Sequence, residues 1–283
     1  MNLRPIGTTG LSVTPIGFGA GPLGGMPDTY GHDVTEETAR ATVRAIFDGP
    51  VNMLDTSRNY GFGRSEARIG AVVRERGGLP PGFVLATKLD RDMSTGRFDA
   101  GQARRSAEES LEALGIARFQ ILHLHDPEHA RDLNEIVGKG GALETMFRMK
   151  EEGLVQATGI AMGRLDILLP LLNDWPFDIV LNHNRFTVVN RSAEALMDRA
   201  AARGMTFFNA APFAGGVLAK GSAQVQRVTY QERDGQRSPE GAPIGQLAAV
   251  NYIAIAIYRI LGAVGGAMDN CTSGGGKFAA RIG

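Results

Sequence analysis

Asp55, Tyr60, Lys88 and His125 are the side chains whose types could together move a proton. A tyrosine hydroxyl has a pKa of about 10, too high for efficient acid–base work near neutrality. A nearby ammonium favours the phenolate. Lys88 can supply that ammonium, and an ammonium held away from water needs an anion, which Asp55 can provide. His125 can hydrogen-bond a reacting oxygen or relay a proton. The set reads as one unit, with Tyr60 the donor, Lys88 its tuner, Asp55 the anchor and His125 the orienter.

These residues are useful only if the fold brings them together. Short apolar runs recur along the chain: Ile16 to Phe18, Val51 to Leu54, Phe83 to Ala86, Phe119 to Leu122, Val155 to Ile160, Phe177 to Leu181 and Met205 to Phe208. They are rich in β-branched and aromatic types, as buried parallel strands are. Helix-like segments lie between them. One opens at Thr35-Glu36-Glu37, with Thr35 as N-cap. Asp99 to Leu114 carries Ala103, Ala107, Ser110, Leu111 and Leu114 at helical spacing, and Gly115 ends it. Gly141 to Glu152, Leu165 to Leu172 and Ser192 to Arg203 follow.

Alternation at roughly 30–35 residues per unit is the sequence form of βαβ repetition. Seven units are too many for a typical doubly wound sheet of this length and nearly fill an eight-unit barrel of about 250 residues. The expected fold is therefore α/β, a (β/α)8 barrel over 1–246. Leu3 to Gly7 and Leu11 to Val13 form a hairpin across its N-terminal end, turning at Thr8-Thr9-Gly10. The tail breaks the pattern. Ile244 to Leu261 reads as a helix, and the glycine-rich stretch to Gly283 is too poor in large apolar residues to offset its ordering entropy. No eighth strand is evident, so the eighth unit is expected to be missing or altered, with 247–283 an atypical helix and glycine-rich tail that is poorly ordered at its end.

In such a barrel the active site lies at the C-terminal ends of the strands. The polar residues that follow the apolar runs are Asp55, Lys88, His125, and Asn182 with His183. Tyr60 lies five residues past Asp55, in the loop Thr56 to Gly61. Three successive strand ends thus deliver the proton-handling set to one mouth.

Bulk composition is that of a soluble globular protein, 43% apolar and 21% charged. Thirty basic residues balance thirty acidic ones, which points away from nucleic-acid and membrane-surface partners. A single cysteine, Cys271, excludes an internal disulfide framework and fits a reducing, cytoplasmic compartment. Met1 to Thr9 lack a signal-peptide pattern, and the apolar stretch Leu247 to Val264 is short for a membrane span.

Leu54 to Gly61 with Ser65-Glu66 and Ile69-Gly70, then Ala86-Thr87-Lys88, then Ile121 to Pro127, resemble the signature of the aldo-keto reductase family. Coverage runs from about residue 3 to 220. The resemblance implies a (β/α)8 barrel using NADP or NAD, with the Asp/Tyr/Lys/His tetrad on Asp55, Tyr60, Lys88 and His125. Ser57 to Gly61, Asn209 to Phe213 and Gly215 to Leu218 look most like the D-threo-aldose and L-fucose 1-dehydrogenase branch, to which pyridoxal 4-dehydrogenase is similar. That branch oxidises aldoses at C1, so the implied substrate is a sugar or another small carbonyl compound. The cofactor-facing turn falls on Pro212, Phe213, Gly216 and Leu218. The Ser-Asn pair that holds the nicotinamide carboxamide in the commoner reductases falls on Ala161-Met162 here, which leaves Asn182 or His183 for that task. The family's adenosine-phosphate segment finds no match after about Ile244.

Three other readings compete with this one. His123, His125, Asp126 and His129 could suggest a metal site, but His129 lies past Pro127 and His183 is the one further candidate at a later strand end. Gly19 to Gly25 lacks the spacing of a dinucleotide loop and reads as a flexible loop at the barrel mouth. A barrel without its eighth unit could also be a binding protein or a degenerate enzyme.

Overall fold

The computed structural model describes residues 1–30, 32–187 and 190–212, and the backbone of 252–256. Ten strands are present among them. β1 (Arg4–Pro5) and β2 (Ser12–Val13) pair antiparallel. β3 (Ile16–Gly19), β4 (Met53–Asp55), β5 (Val84–Leu89), β6 (Phe119–His125), β7 (Val155–Ala161), β8 (Ile179–His183), β9 (Thr206–Ala210) and β10 (Tyr252–Ala256) form a closed parallel barrel in chain order. All seven expected strands are there, each within a few residues of its apolar run.

The eighth strand corrects the reading of the tail. β10 pairs with β9, Tyr252 opposite Phe207, and with β3, Ala254 opposite Ile16. A helix was expected from Ile244 to Leu261, and the barrel was expected to end at residue 246. Ile253, Ile255 and Ile257 alternate with Ala254 and Ala256, which is a strand period. Tertiary pairing decides the outcome, because without β10 the ladders of β9 and β3 would be left open. With this strand the barrel closes, so the expectation that the eighth strand is missing does not hold. The glycine-rich end of the chain, expected to be poorly ordered, lies outside the described residues.

The helices cover the barrel. They are α1 (Pro27–Tyr30), α2 (Glu36–Phe47), α3 (Arg64–Glu75), α4 (Ala100–Leu114), α5 (Asn134–Val137), α6 (Ala142–Glu151), α7 (Leu165–Asp174) and α8 (Glu194–Ala202). Thr35 and Asp99 cap α2 and α4, accepting from Thr38 N and Gln102 N. Sequence reading passed over α3, where Arg64, Glu66, Arg68 and Arg74 crowd around its apolar stripe of Ile69, Val72 and Val73.

Alternation along the strands sorts their side chains. Met53, Val84, Ala86, Ile121, Ala157, Ile179, Leu181 and Phe208 form the barrel interior. Leu54 and Leu85 turn outward onto α2 and α3, and Leu122, Leu124 and Val180 pack into the other helix layer. The hairpin plugs the N-terminal end with Ile6 and Val13, both fully buried in the interior cluster. Asp55, Lys88 and His125 share the parity of Met53, Val84 and Ile121, so the barrel aims them inward at its open end.

Candidate active site

Lys88 is the centre of the site. It is 1% exposed, and its ammonium donates to Asp55 Oδ1 at 2.9 Å, Asp55 Oδ2 at 2.8 Å and Thr56 O at 2.5 Å. A buried ammonium is tolerable because every proton has an acceptor. Burial pushes the Asp55 carboxyl above its ordinary range, while Lys88 and then His125 pull against that rise. Nζ of Lys88 also lies 4.8 Å from the centroid of the half-buried Tyr60 ring. The His125 ring meets Tyr60 edge to face, with centroids 5.9 Å apart. The four residues singled out from sequence are therefore one cluster at one end of the barrel.

The loop that carries Tyr60 is held from two sides. Gly61 has φ +64°, and a Cβ there would lie 2.1 Å from Gly24 O. Gly24 in turn leaves no room for a Cβ, which would sit 2.8 Å from Gly61 N. These two glycines let the Gly19–Gly25 segment lie directly on the Tyr60 loop. That segment was expected to be flexible. Instead α3 clamps it: Ser65 donates to Ala20 O, Arg68 to Leu23 O, and Arg64 to Gly24 O and Gly25 O.

Asp90 escaped sequence reading. It follows β5, two residues past Lys88 and with the same inward parity, so the strand-end rule could have found it. Its Oδ1 lies 2.6 Å from His125 Nδ1, and its Oδ2 accepts from Ser57 Oγ at 2.7 Å and Asn59 N at 2.9 Å. Burial pushes the Asp90 carboxyl up, but His125, Ser57 and Asn59 outweigh it and hold it below the ordinary range. Burial pushes the His125 imidazolium down, and Asp90 and Asp126 outweigh that in turn, so its pKa lies above the ordinary value. His123, also inward, is fully buried without a hydrogen-bond partner among the described residues; burial first, then Lys88 and His125, hold it well below the ordinary histidine range. Gly159 makes space for this ring, since a Cβ there would lie 2.2 Å from His123 Nδ1.

Glu66, which follows Ser65 within the signature, is an ionisable group that its sequence context does not single out. It is fully buried behind β5, where its Oε1 accepts from Thr87 Oγ1 at 2.6 Å and Arg58 stands 3.8 Å from Oε2. Burial pushes its carboxyl up from 4.5 to about 7. Between those values the folded protein holds a proton that the unfolded chain has released, so stability falls as pH rises from 4.5 to 7. Glu66→Gln is expected to stabilise the protein progressively over that window, by up to about 3 kcal/mol above it. Thermal melts across pH check this; a wild-type–variant difference that does not change with pH contradicts it.

The sequence assigned the nicotinamide carboxamide to Asn182 or His183. Asn182 has the outward parity of Val180, and its Nδ2 donates to Met162 O at 2.7 Å. Its Oδ1 is buried without a hydrogen-bond partner among the described residues. His183 shares the inward parity of Ile179 and Leu181 and lies against Gly163, where a Cβ would come within 2.8 Å of its ring. Each offers hydrogen bonding that a carboxamide needs, the buried Asn182 acceptor on one face of β8 and the His183 imidazole on the other. Pro212 follows β9 and is half-buried. Phe213, Gly216 and Leu218 lie outside the described residues. Among the described residues no group of three or more His, Cys, Asp or Glu side chains converges as metal ligands, and no helix is long and apolar enough to cross a membrane.

The Aldo/keto reductase family matches residues 15–263. L-galactose dehydrogenase from Arabidopsis thaliana is 34% identical over 221 residues, covering 77% of this chain and 67% of the relative. Pyridoxal 4-dehydrogenase from Microbacterium luteolum is 26% identical, covering 81% and 75%. D-threo-aldose 1-dehydrogenase from Pseudomonas sp is 28% identical, covering 75% and 69%. A solved holo-form aldo-keto reductase from Bacillus halodurans has the same fold, with a TM-score of 0.62 at 21% identity over 78% of this chain and 68% of its own. The chain belongs to the aldo/keto reductase family and is an oxidoreductase. Its similarity to the pyridoxal and aldose dehydrogenases agrees with the branch read from the sequence.

Proposed function

We infer that the protein is an NAD- or NADP-dependent oxidoreductase that oxidises an aldose at C1 to a lactone or interconverts a small carbonyl compound and its alcohol, the aldose being the better supported. The observation that carries this reading is the Tyr60–Lys88–Asp55–His125 cluster, in which a buried, fully bonded ammonium lies beside the tyrosine ring. Two named sugar dehydrogenases among the similar proteins support the aldose. A nicotinamide bound at the mouth supplies the acceptor or donor of hydride.

In the oxidative direction Tyr60, as phenolate, takes the proton of the anomeric hydroxyl. Lys88 stabilises the phenolate, and Asp55 keeps Lys88 in place. In reduction Tyr60, as phenol, gives its proton to the carbonyl oxygen. His125 fixes that oxygen by a hydrogen bond, so position as well as acidity contributes. Asn182 or His183 would hold the carboxamide of a bound nicotinamide, and Pro212, Phe213, Gly216 and Leu218 are the residues we assign to the rest of the nucleotide.

The test is binding followed by turnover. NADH or NADPH is expected to change its fluorescence on titration with the purified protein, and one oxidised form to be reduced when aldoses are added. Failure to bind either nucleotide contradicts the reading.

A further inference from the structure

His125 is enclosed by carboxylates. Its Nδ1 lies 2.6 Å from Asp90 Oδ1, and its Nε2 lies 3.6 Å from Asp126 Oδ2. Asp90 is buried at the end of β5, so its charge is little screened. With a proton on Nδ1 alone, Nε2 would turn a lone pair toward Asp126 and could not donate to a carbonyl oxygen. With a proton on Nε2 alone, Nδ1 would turn a lone pair toward Asp90 at 2.6 Å. Only the doubly protonated ring donates on both sides.

We propose that Asp90 is a positioning residue that holds His125 as an imidazolium, with Nδ1–H given to Asp90 and Nε2–H kept free to donate to the reacting oxygen. The same carboxylate ties this cation to the tyrosine loop. Its Oδ2 accepts from Ser57 Oγ and Asn59 N, and Asn59 immediately precedes Tyr60. Ser57 Oγ also lies 3.1 Å from His125 Nδ1. Asp90 thus places the proton donor and the oxygen-orienting cation with one side chain.

The charges around His125 agree with this. Asp90 is in hydrogen-bond contact with Nδ1, Asp126 stands 3.6 Å from Nε2, and Asp55 is the third anion near the ring. Lys88 is the opposing ammonium, His123 on the same strand is held neutral, and Tyr60 lies against the ring face. Three carboxylates against one ammonium leave room for a second cation. A cationic donor favours the oxygen as it gains negative charge during reduction more than a neutral one does. Raising the pH until His125 loses its proton should therefore lower kcat/KM for reduction.

This rests on the reading of His125 as the group that meets the reacting oxygen, but it is testable without turnover. Nitrogen chemical shifts of His125, assigned against His125→Asn, report its protonation directly. In the wild-type protein at neutral pH both ring nitrogens are expected to carry protons; a singly protonated ring overturns the proposal. Asp90→Asn is expected to lower the midpoint of His125 titration by about one unit or more, the usual effect of removing an adjacent opposite charge. The alkaline fall in kcat/KM should move with it. Ser57→Ala disturbs the same network while leaving the charge, and should shift the midpoint much less. Equal shifts in the two variants, or none in Asp90→Asn, overturn the proposal. Unchanged kcat/KM in His125→Asn would instead remove His125 from the reaction and leave the Asp90 result standing.

Discussion

Tyr60→Phe is expected to lower the rate of the chemical step by about 10²-fold or more, at the lower end of what general acid–base catalysis contributes. The substitution removes one oxygen and keeps the ring. The edge-to-face contact with His125 and the approach of Lys88 to the ring are both made by ring atoms, so the loop should hold its place. Gly24 against Gly61 and the clamp from Arg64, Arg68 and Ser65 are also untouched. Nucleotide affinity and melting temperature should therefore stay near those of the wild type. Single-turnover kinetics is the right readout, because slow product release can mask the chemical step in steady state. Near-full rate in the variant would remove Tyr60 from its role.

Lys88→Met is expected to be as damaging to the rate, and unlike Tyr60→Phe it should also damage the fold. The methionine fills much of the same volume but leaves Asp55, 4% exposed, without the ammonium that neutralises it. Removing one partner of a buried ion pair typically costs about 3–5 kcal/mol. Thr56 O loses its donor as well. Asp55→Asn added to Lys88→Met removes the stranded charge. The double variant should recover much of the stability and none of the activity. Thermal melts and rates measured on the three proteins separate the two roles of the lysine. Recovery of activity in the double variant would mean that Lys88 acts only as a structural counter-ion.

The seven strands and the mouth of the barrel were legible because β-branched runs alternate with amphipathic segments, and because polar residues stand at the strand ends. Asp55, Lys88 and His125 follow that rule directly, and Tyr60 follows from its distance to Asp55. Asp90 obeys the same rule but is masked by Lys88, the first polar residue met at that strand end. Arginine and glutamate crowd the apolar stripe of α3 and hid it, yet that helix is what fixes the Gly19–Gly25 segment. β10 was misread because alanine and isoleucine in alternation satisfy a buried helix as readily as a strand. The open ladders of β9 and β3 decide between them, and no local pattern contains that information. The faces that Asn182 and His183 take needed the register of β8, since one residue along a strand exchanges the inward face for the outward one.

The most direct test of the account is the fate of an aldose offered with oxidised nicotinamide nucleotide, followed by proton NMR of the sugar in the same tube as nucleotide reduction. Loss of the C1–H signal and appearance of the lactone are expected, one for each nucleotide reduced, with Tyr60→Phe slower by about 10²-fold or more. Nucleotide reduction with the C1–H signal intact, or lactone formation at equal rates in the two proteins, would contradict it.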